Sequence, residues 1–190
     1  EPTPERFDVM NQEALQLKRL VEDLRTLSLA DAGELKLVLQ NIQASELLAQ
    51  VKQSFDPMAE EQNVALKVDV EQGLANLRID PERMVQVLAN LVTNALRYTP
   101  SGGTVTLQAR QSKDGIQVVV KDTGAGIAAD KLPNIFERFY RIEESRYQDA
   151  GESGLGLAIA KSIVEAHRGT ISAESTVGVG KSIIITLQPA

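Results

Sequence analysis

Asn90 and Asn94 stand one helical turn apart in the stretch Asn90-Leu-Val-Thr-Asn94-Ala-Leu-Arg97-Tyr98. Asparagine is a weak interior helix residue, because its side chain competes for backbone hydrogen bonds, so two at this spacing need a reason. With Arg97 and Tyr98 at i+7 and i+8, one stripe carries two carboxamides, a cation and a phenol. Paired amide oxygens are hard donors of the kind Mg²⁺ takes, and Mg²⁺ usually shares its shell with water and substrate phosphates. A solvated polar face is the plainer alternative, and this stretch alone leaves both open.

Three further stretches could do chemistry. Asp122-Thr-Gly124-Ala-Gly126-Ile127 puts a carboxylate at a strand end, followed by glycines that let backbone approach a ligand closely, or that simply turn. Asp-Thr-Gly-Ala also marks aspartic proteases, but those need two carboxylates sharing a proton and the chain has one copy. Gly151-Glu152-Ser153-Gly154-Leu155-Gly156-Leu157 opens an apolar helix, whose free N–H groups and positive dipole end would face an anion such as phosphate. It lacks the βαβ context of a dinucleotide fingerprint, and no G-x-x-x-x-G-K-S/T occurs. A nucleophile elbow would need glycine where Leu155 stands. Between the two lies Phe136-Glu-Arg138-Phe139-Tyr140-Arg141, followed by a polar run with Arg146. That composition suits a lid whose arginines reach phosphate, or a surface loop anchored by its phenylalanines.

The elements that must position these residues are legible as periodicities. Asp80 to Thr99 reads as a helix, with Asp80 as cap, Pro81 in the first turn and Met84, Val87, Leu88, Leu91, Val92, Ala95 and Leu96 on one face. Residues 7–30 read as an amphipathic helix whose Met10, Leu17, Leu24 and Leu20, Leu27 pairs are spaced by seven, so a partner helix is expected. Asp31-Ala-Gly33 ends it. Strands are expected at Glu34–Leu39, Val64–Val70 and Leu74–Ile79. A second helix is expected at Ser45–Asn63, with Pro57 as a kink. Thr104–Arg110 and Ile116–Lys121 form a hairpin, Asp130–Phe136 a short helix, Gly154–His167 a fourth long helix, and Thr170–Ser175 and Ser182–Leu187 the last strands. Hairpins and helices in separate groups imply an α+β fold, a mixed sheet covered on one face.

Composition narrows the function classes. The chain has 190 residues, no cysteine and one histidine, which removes disulfides, thiolate metal sites and the usual zinc constellations. A net charge of −6 argues against a nucleic-acid partner. No apolar run is long enough to span a bilayer, and the first residues do not read as a signal peptide.

Taken together, Asn90…Asn94-Ala-x-Arg-Tyr, Asp-x-Gly-x-Gly-Ile, Phe-x-Arg-Phe-Tyr-Arg and Gly-x-Gly-Leu-Gly-Leu resemble the catalytic ATP-binding domain of sensor histidine kinases. The resemblance covers residues 34–188, and helix 7–30 resembles the second helix of that family's dimerising, histidine-carrying hairpin. It implies two parts: residues 1–32 as part of the hairpin and linker, and residues 33–190 as the kinase domain. The fold implied is the two-layer α/β sandwich of DNA gyrase, heat-shock chaperone and mismatch-repair ATPases, with a mixed, mostly antiparallel sheet.

By the same resemblance Asp122 accepts a hydrogen bond from the adenine amino group, with Gly124, Gly126 and Ile127 beside the base. Asn94, with Asn90, holds Mg²⁺ against the phosphates, and Arg97 and Tyr98 contact phosphate or ribose. Phe136, Arg138, Phe139, Tyr140 and Arg141 belong to the lid, and Gly154, Leu155, Gly156 and Leu157 wrap the phosphates. Arg97 stands where the family more often has lysine. Glu152 replaces a family glycine. The hydrolytic relatives carry a glutamate where Asn90 stands. Asn90 cannot take a proton, whereas a neutral histidine attacks phosphorus without a base, so the pattern favours transfer to histidine. Asn90, Asn94 and Arg97 are thus the catalytic candidates. The acceptor histidine lies outside this chain, since His167 ends a helix where a structural role at the dipole is expected. A response-regulator receiver domain, a homodimer built through the hairpin and a cytoplasmic placement below a membrane anchor are the remaining implications. An ATPase or serine kinase of the same fold, and a module without turnover, are the competing readings.

Overall fold

The helix that carries Asn90 and Asn94 is α3, Pro81–Tyr98, and its start sets the geometry of one end of the molecule. Asp80 caps it: Oδ1 accepts the Arg83 N–H at 3.1 Å, while Oδ2 accepts the Val38 N–H at 2.8 Å. Its apolar face is buried from Met84 through Leu96. Each such side chain contributes about 1.5–3 kcal/mol on leaving water.

The computed structural model describes residues 4–141 and 153–190. In order the elements are α1 (Pro4–Asp31), β1 (Gln40–Ile42), α2 (Ala44–Glu61), β2 (Ala65–Val70), β3 (Leu77–Ile79), α3, β4 (Thr104–Ser112), β5 (Gly115–Asp122), α4 (Gly156–Ala166), β6 (Thr170–Thr176) and β7 (Gly180–Leu187). The main sheet has the order β2-β4-β5-β7-β6, with β2–β4 parallel and the other pairs antiparallel. Its register aligns one apolar face: Leu107 opposes Val120, Val120 opposes Ile183, and Val118 opposes Ile185. Helices α2, α3 and α4 pack there, giving the expected α+β sandwich with helices on one face and a long helix in front.

Two local expectations need correction. The strand expected at Glu34–Leu39 is not one; β1 begins at Gln40 and pairs antiparallel with β3. The alternation is real, since Leu35 and Leu37 are half-buried between exposed neighbours. However, the segment's Val38 N–H is taken by the Asp80 carboxylate rather than by a strand ladder. The short helix expected at Asp130–Phe136 shrinks to a 3₁₀ turn at Leu132–Asn134 around Pro133. Pro57 lies inside α2, where it was expected.

His167 is structural, but by a different route from the dipole contact expected of it. Its Nε2 accepts the Asp80 N–H at 3.0 Å, which leaves Nδ1, 2.8 Å from the Ile163 carbonyl, as the donor. The first bond needs an unprotonated Nε2, and together the two tie the end of α4 to the start of α3. His167→Ala strands the Asp80 N–H. A loss of about 1–3 kcal/mol in urea unfolding is the expected result.

Helix α1 divides its apolar residues. Leu27 is buried in the core and Leu20 packs against it, while Met10, Leu17, Val21 and Leu24 are exposed. No helix among the described residues is long and apolar enough to cross a membrane.

Candidate functional site

A cleft of about 380 Å³ opens between α3, the glycine-rich entry to α4, the segment after β5 and one face of α1. From α3 come Asn90, Asn94 and Tyr98, half-buried on the stripe that the helical spacing predicts. From the segment after β5 come Gly126 and Ile127, and from the start of α4 Gly154, Gly156 and Leu157. Tyr140 and Arg141 close one side. Asn90 Nδ2 donates to the Gly156 carbonyl at 3.1 Å. That bond fixes the carboxamide and leaves its Oδ1 as the end able to meet a cation.

Seven expected residues do not line the cleft. Leu155 is fully buried in the core, Phe136 is half-buried against it, and Arg97 is half-buried outside the cleft. Arg138 is exposed and forms an ion pair with Asp31 at the end of α1, and Phe139 is exposed beside it. Gly124 is packed under Tyr98: a Cβ there would fall into the Tyr98 carbonyl oxygen. Asp122 lies at the cleft floor behind a lysine. Arg146, Gly151 and Glu152 lie outside the described residues.

That lysine is Lys181, which the sequence reading missed. Its ammonium lies 3.1 Å from Asp122 Oδ2 and 5.0 Å from the centre of the Tyr98 ring, and it lines the cleft. The side chains are 5% and 1% exposed, so this is a buried pair. Asp122 Oδ1 accepts the Gly124 N–H at 2.9 Å and the Lys181 backbone N–H at 3.4 Å, whereas Oδ2 faces the Lys181 ammonium. Burial pushes the Lys181 ammonium below its usual range, and the Asp122 charge opposes that shift. The signal was available: alternation along β7 puts Lys181 in phase with the buried Ile183, Ile185 and Leu187.

Helix α1 also contributes, through Gln16, Arg19, Leu20 and Asp23. Burial raises the Asp23 carboxyl above its ordinary value, Glu22 adds to this, and Arg19 opposes it. Nothing local in the sequence marks these residues, because their place depends on how α1 docks against α4.

Gly126 shows how tightly the loop is held. Its φ is +71°, and an added Cβ would fall into the Thr176 carbonyl oxygen. The loop cannot retreat, because Ile127 N–H donates to Ser175 Oγ at 2.7 Å and Gly178 N–H to the Ala125 carbonyl at 2.8 Å. Gly126→Ala is expected to lower stability by about 2–4 kcal/mol, from backbone strain plus overpacking, as measured by chemical denaturation.

Among the described residues no three His, Cys, Asp or Glu side chains converge as a metal cage. The amide oxygens of Asn90 and Asn94 are hard donors on the α3 wall of this cleft, facing the Asp23 carboxylate and Gln16 amide contributed by α1.

Residues 79–190 match the family model described as "Histidine kinase-, DNA gyrase B-, and HSP90-like ATPase". The chain is 38% identical over 160 residues to the sensor protein IrlS of Burkholderia pseudomallei, covering 84% of this chain and 34% of that protein. It is 36% identical over 186 residues to the sensor histidine kinase WalK of Bacillus subtilis, covering 97% and 30%. The chain thus spans about a third of the length of these relatives. Among solved structures, the Acinetobacter baumannii histidine kinase AdeS superposes with a TM-score of 0.82 at 25% identity, covering 99% of this chain and 86% of that one. Full-length ShkA in complex with AMPPNP superposes with a TM-score of 0.83 at 27% identity, covering 100% and 41%. With more than half of its length inside the matched model, this chain belongs to the histidine kinase-, DNA gyrase B- and HSP90-like ATPase family, among the sensor histidine kinases.

Proposed function

We propose that this chain is the ATP-binding, phosphoryl-donating part of a sensor histidine kinase, with residues 33–190 as the kinase domain and residues 1–32 as part of the dimerising hairpin. The observation that carries this reading is the convergence, in one cleft, of two asparagines, a glycine-rich helix start and a loop of glycines above a buried carboxylate. ATP would lie with its base toward Asp122, Gly126 and Ile127, and its phosphates toward Asn90, Asn94, Gly154 and Gly156. The complex of ShkA with AMPPNP, an ATP analogue, supports that ligand class.

Asn94 and Asn90 would hold Mg²⁺ through their amide oxygens, with phosphate and water completing the shell. When bound, the ion supplies charge neutralisation on the phosphates. The chain's own residues then position and desolvate. Asn90 offers no basic atom, so a water molecule here gains no proton acceptor from it. A neutral imidazole nitrogen brings its own lone pair: it bonds to the γ-phosphorus, the β–γ bridging P–O bond breaks, and ADP leaves with the electron pair. The imidazole proton then passes to solvent. His167 does not fit the acceptor role, because both ring nitrogens hold α3 to α4. The acceptor would be a hairpin histidine on a helix preceding α1. The exposed stripe of Met10, Leu17, Val21 and Leu24 supports homodimerisation there. The phosphohistidine would pass its phosphoryl group to a response-regulator aspartate, with this part of the sensor in the cytoplasm.

The test is a labelling experiment with γ-labelled MgATP. A form extended upstream through the acceptor helix should acquire one acid-labile phosphate, and the present chain should acquire none. Steady hydrolysis by the present chain at a rate matching that labelling would replace the kinase reading by an ATPase.

A further inference from the structure

Helix α1 turns one stripe toward the rest of the molecule, and half of that stripe is polar. Gln16, Leu20, Asp23 and Leu27 follow one another at spacings of four, three and four. Leu27 is buried in the core and Leu20 packs against it, so Gln16 and Asp23 are held at the cleft, which they line together with Arg19. A carboxylate on an inward-facing stripe needs a partner. Among the described residues Asp23 has no hydrogen-bond or ion-pair partner, and Arg19, one turn back, is the cation whose charge reaches it.

Across the cleft, Asn90 and Asn94 offer amide oxygens but no charge. Mg²⁺ is ordinarily held through one or two carboxylates together with substrate phosphates, and the α3 wall supplies no carboxylate. A carboxylate in the wall of a triphosphate site would also repel its ligand unless a cation lay between them. One arrangement meets both needs. We infer that Asp23 is the carboxylate ligand of the Mg²⁺ that accompanies the nucleotide, opposite Asn90 and Asn94, and that Arg19 contacts the phosphates. Asp23 would take a place in the metal shell otherwise left to water. Helix α1 is then part of the Mg-nucleotide site, and the bound nucleotide bridges the hairpin helix to the kinase domain.

This inference rests on the nucleotide reading of the cleft. The test is calorimetric titration of the wild-type chain, Asp23→Asn and Arg19→Gln with MgATP and with ATP in excess EDTA, with a thermal melt of each variant. Asp23→Asn should weaken MgATP binding by about tenfold or more. Metal-free ATP should bind this variant as well as the wild type or better, because a like charge has gone. Arg19→Gln should weaken both forms by a similar factor, since a phosphate contact does not depend on the metal. An unchanged ratio of MgATP to metal-free affinity in Asp23→Asn overturns the inference alone. Tighter MgATP binding by that variant does the same, and would make Asp23 a residue that repels the nucleotide. Wild-type affinities for both forms in Arg19→Gln remove Arg19 from the site. A wild-type chain that binds neither form overturns the nucleotide reading with it. If Asp23→Asn fails to fold, Asp23→Ala, which suits a helix, is read by the same ratio.

Discussion

Asp122→Asn should lower the stability of the chain by about 3 kcal/mol and weaken MgATP binding by about tenfold to a hundredfold. The two effects have one origin. Asparagine keeps the shape of the side chain but removes the charge facing the Lys181 ammonium, and both groups are almost fully buried. A buried cation without its counter-ion is costly, and the remedy open to it is to give up its proton. That response gives the defect a pH signature. Lys181 already releases its proton below the ordinary value of 10.5, so the unfolded chain holds more protons across the interval between the folded value and 10.5. Stability therefore rises with pH through that interval, and falls as pH drops through the folded value. In the variant the attraction that kept the proton on is gone, so the interval extends to lower pH. The deficit against wild type should be largest near neutral pH and shrink as pH approaches 10.5. Denaturant midpoints for both chains at neutral and alkaline pH measure it. A deficit independent of pH would mean that Lys181 does not depend on the Asp122 charge.

Asn94→Ala should have the opposite profile. Asn94 is half-buried in the wall of the cleft, and alanine is the better helix residue, so the fold should be unchanged or slightly more stable. What is removed is an amide group on the cleft wall, beside the proposed place of phosphate and Mg²⁺. The Mg²⁺-dependent part of nucleotide affinity should disappear. Phosphoryl transfer by a form carrying the acceptor helix should fall by about a hundredfold or more. Titrations with and without Mg²⁺ separate the two contributions, since binding of metal-free nucleotide should change little. An equal loss in both would assign Asn94 to contact with the nucleotide itself.

Much of this architecture was legible because local and global preferences agree. Asp80, Pro81 and the stripe from Met84 to Leu96 all specify the same helix, and the cap is made as expected. The alternating segments found their partners, because a slip of one residue would turn Leu107, Val120 and Ile183 out of the core. The misreadings share a physical cause. Glu34–Leu39 alternates like a strand, but a carboxylate distant in sequence captured its backbone. Lys181 falls just before the strand expected at Ser182–Leu187. Its burial makes sense only beside a carboxylate 59 residues away. The α1 wall of the cleft and the Arg138–Asp31 pair likewise arise from docking between distant parts of the chain, which no local pattern encodes.

Calorimetric titration of MgATP into the wild-type chain should show one saturable site per chain, with ADP as a competitor. A folded chain, shown by its circular dichroism, that gives no saturable heat with MgATP would contradict the ATP-binding reading of the cleft.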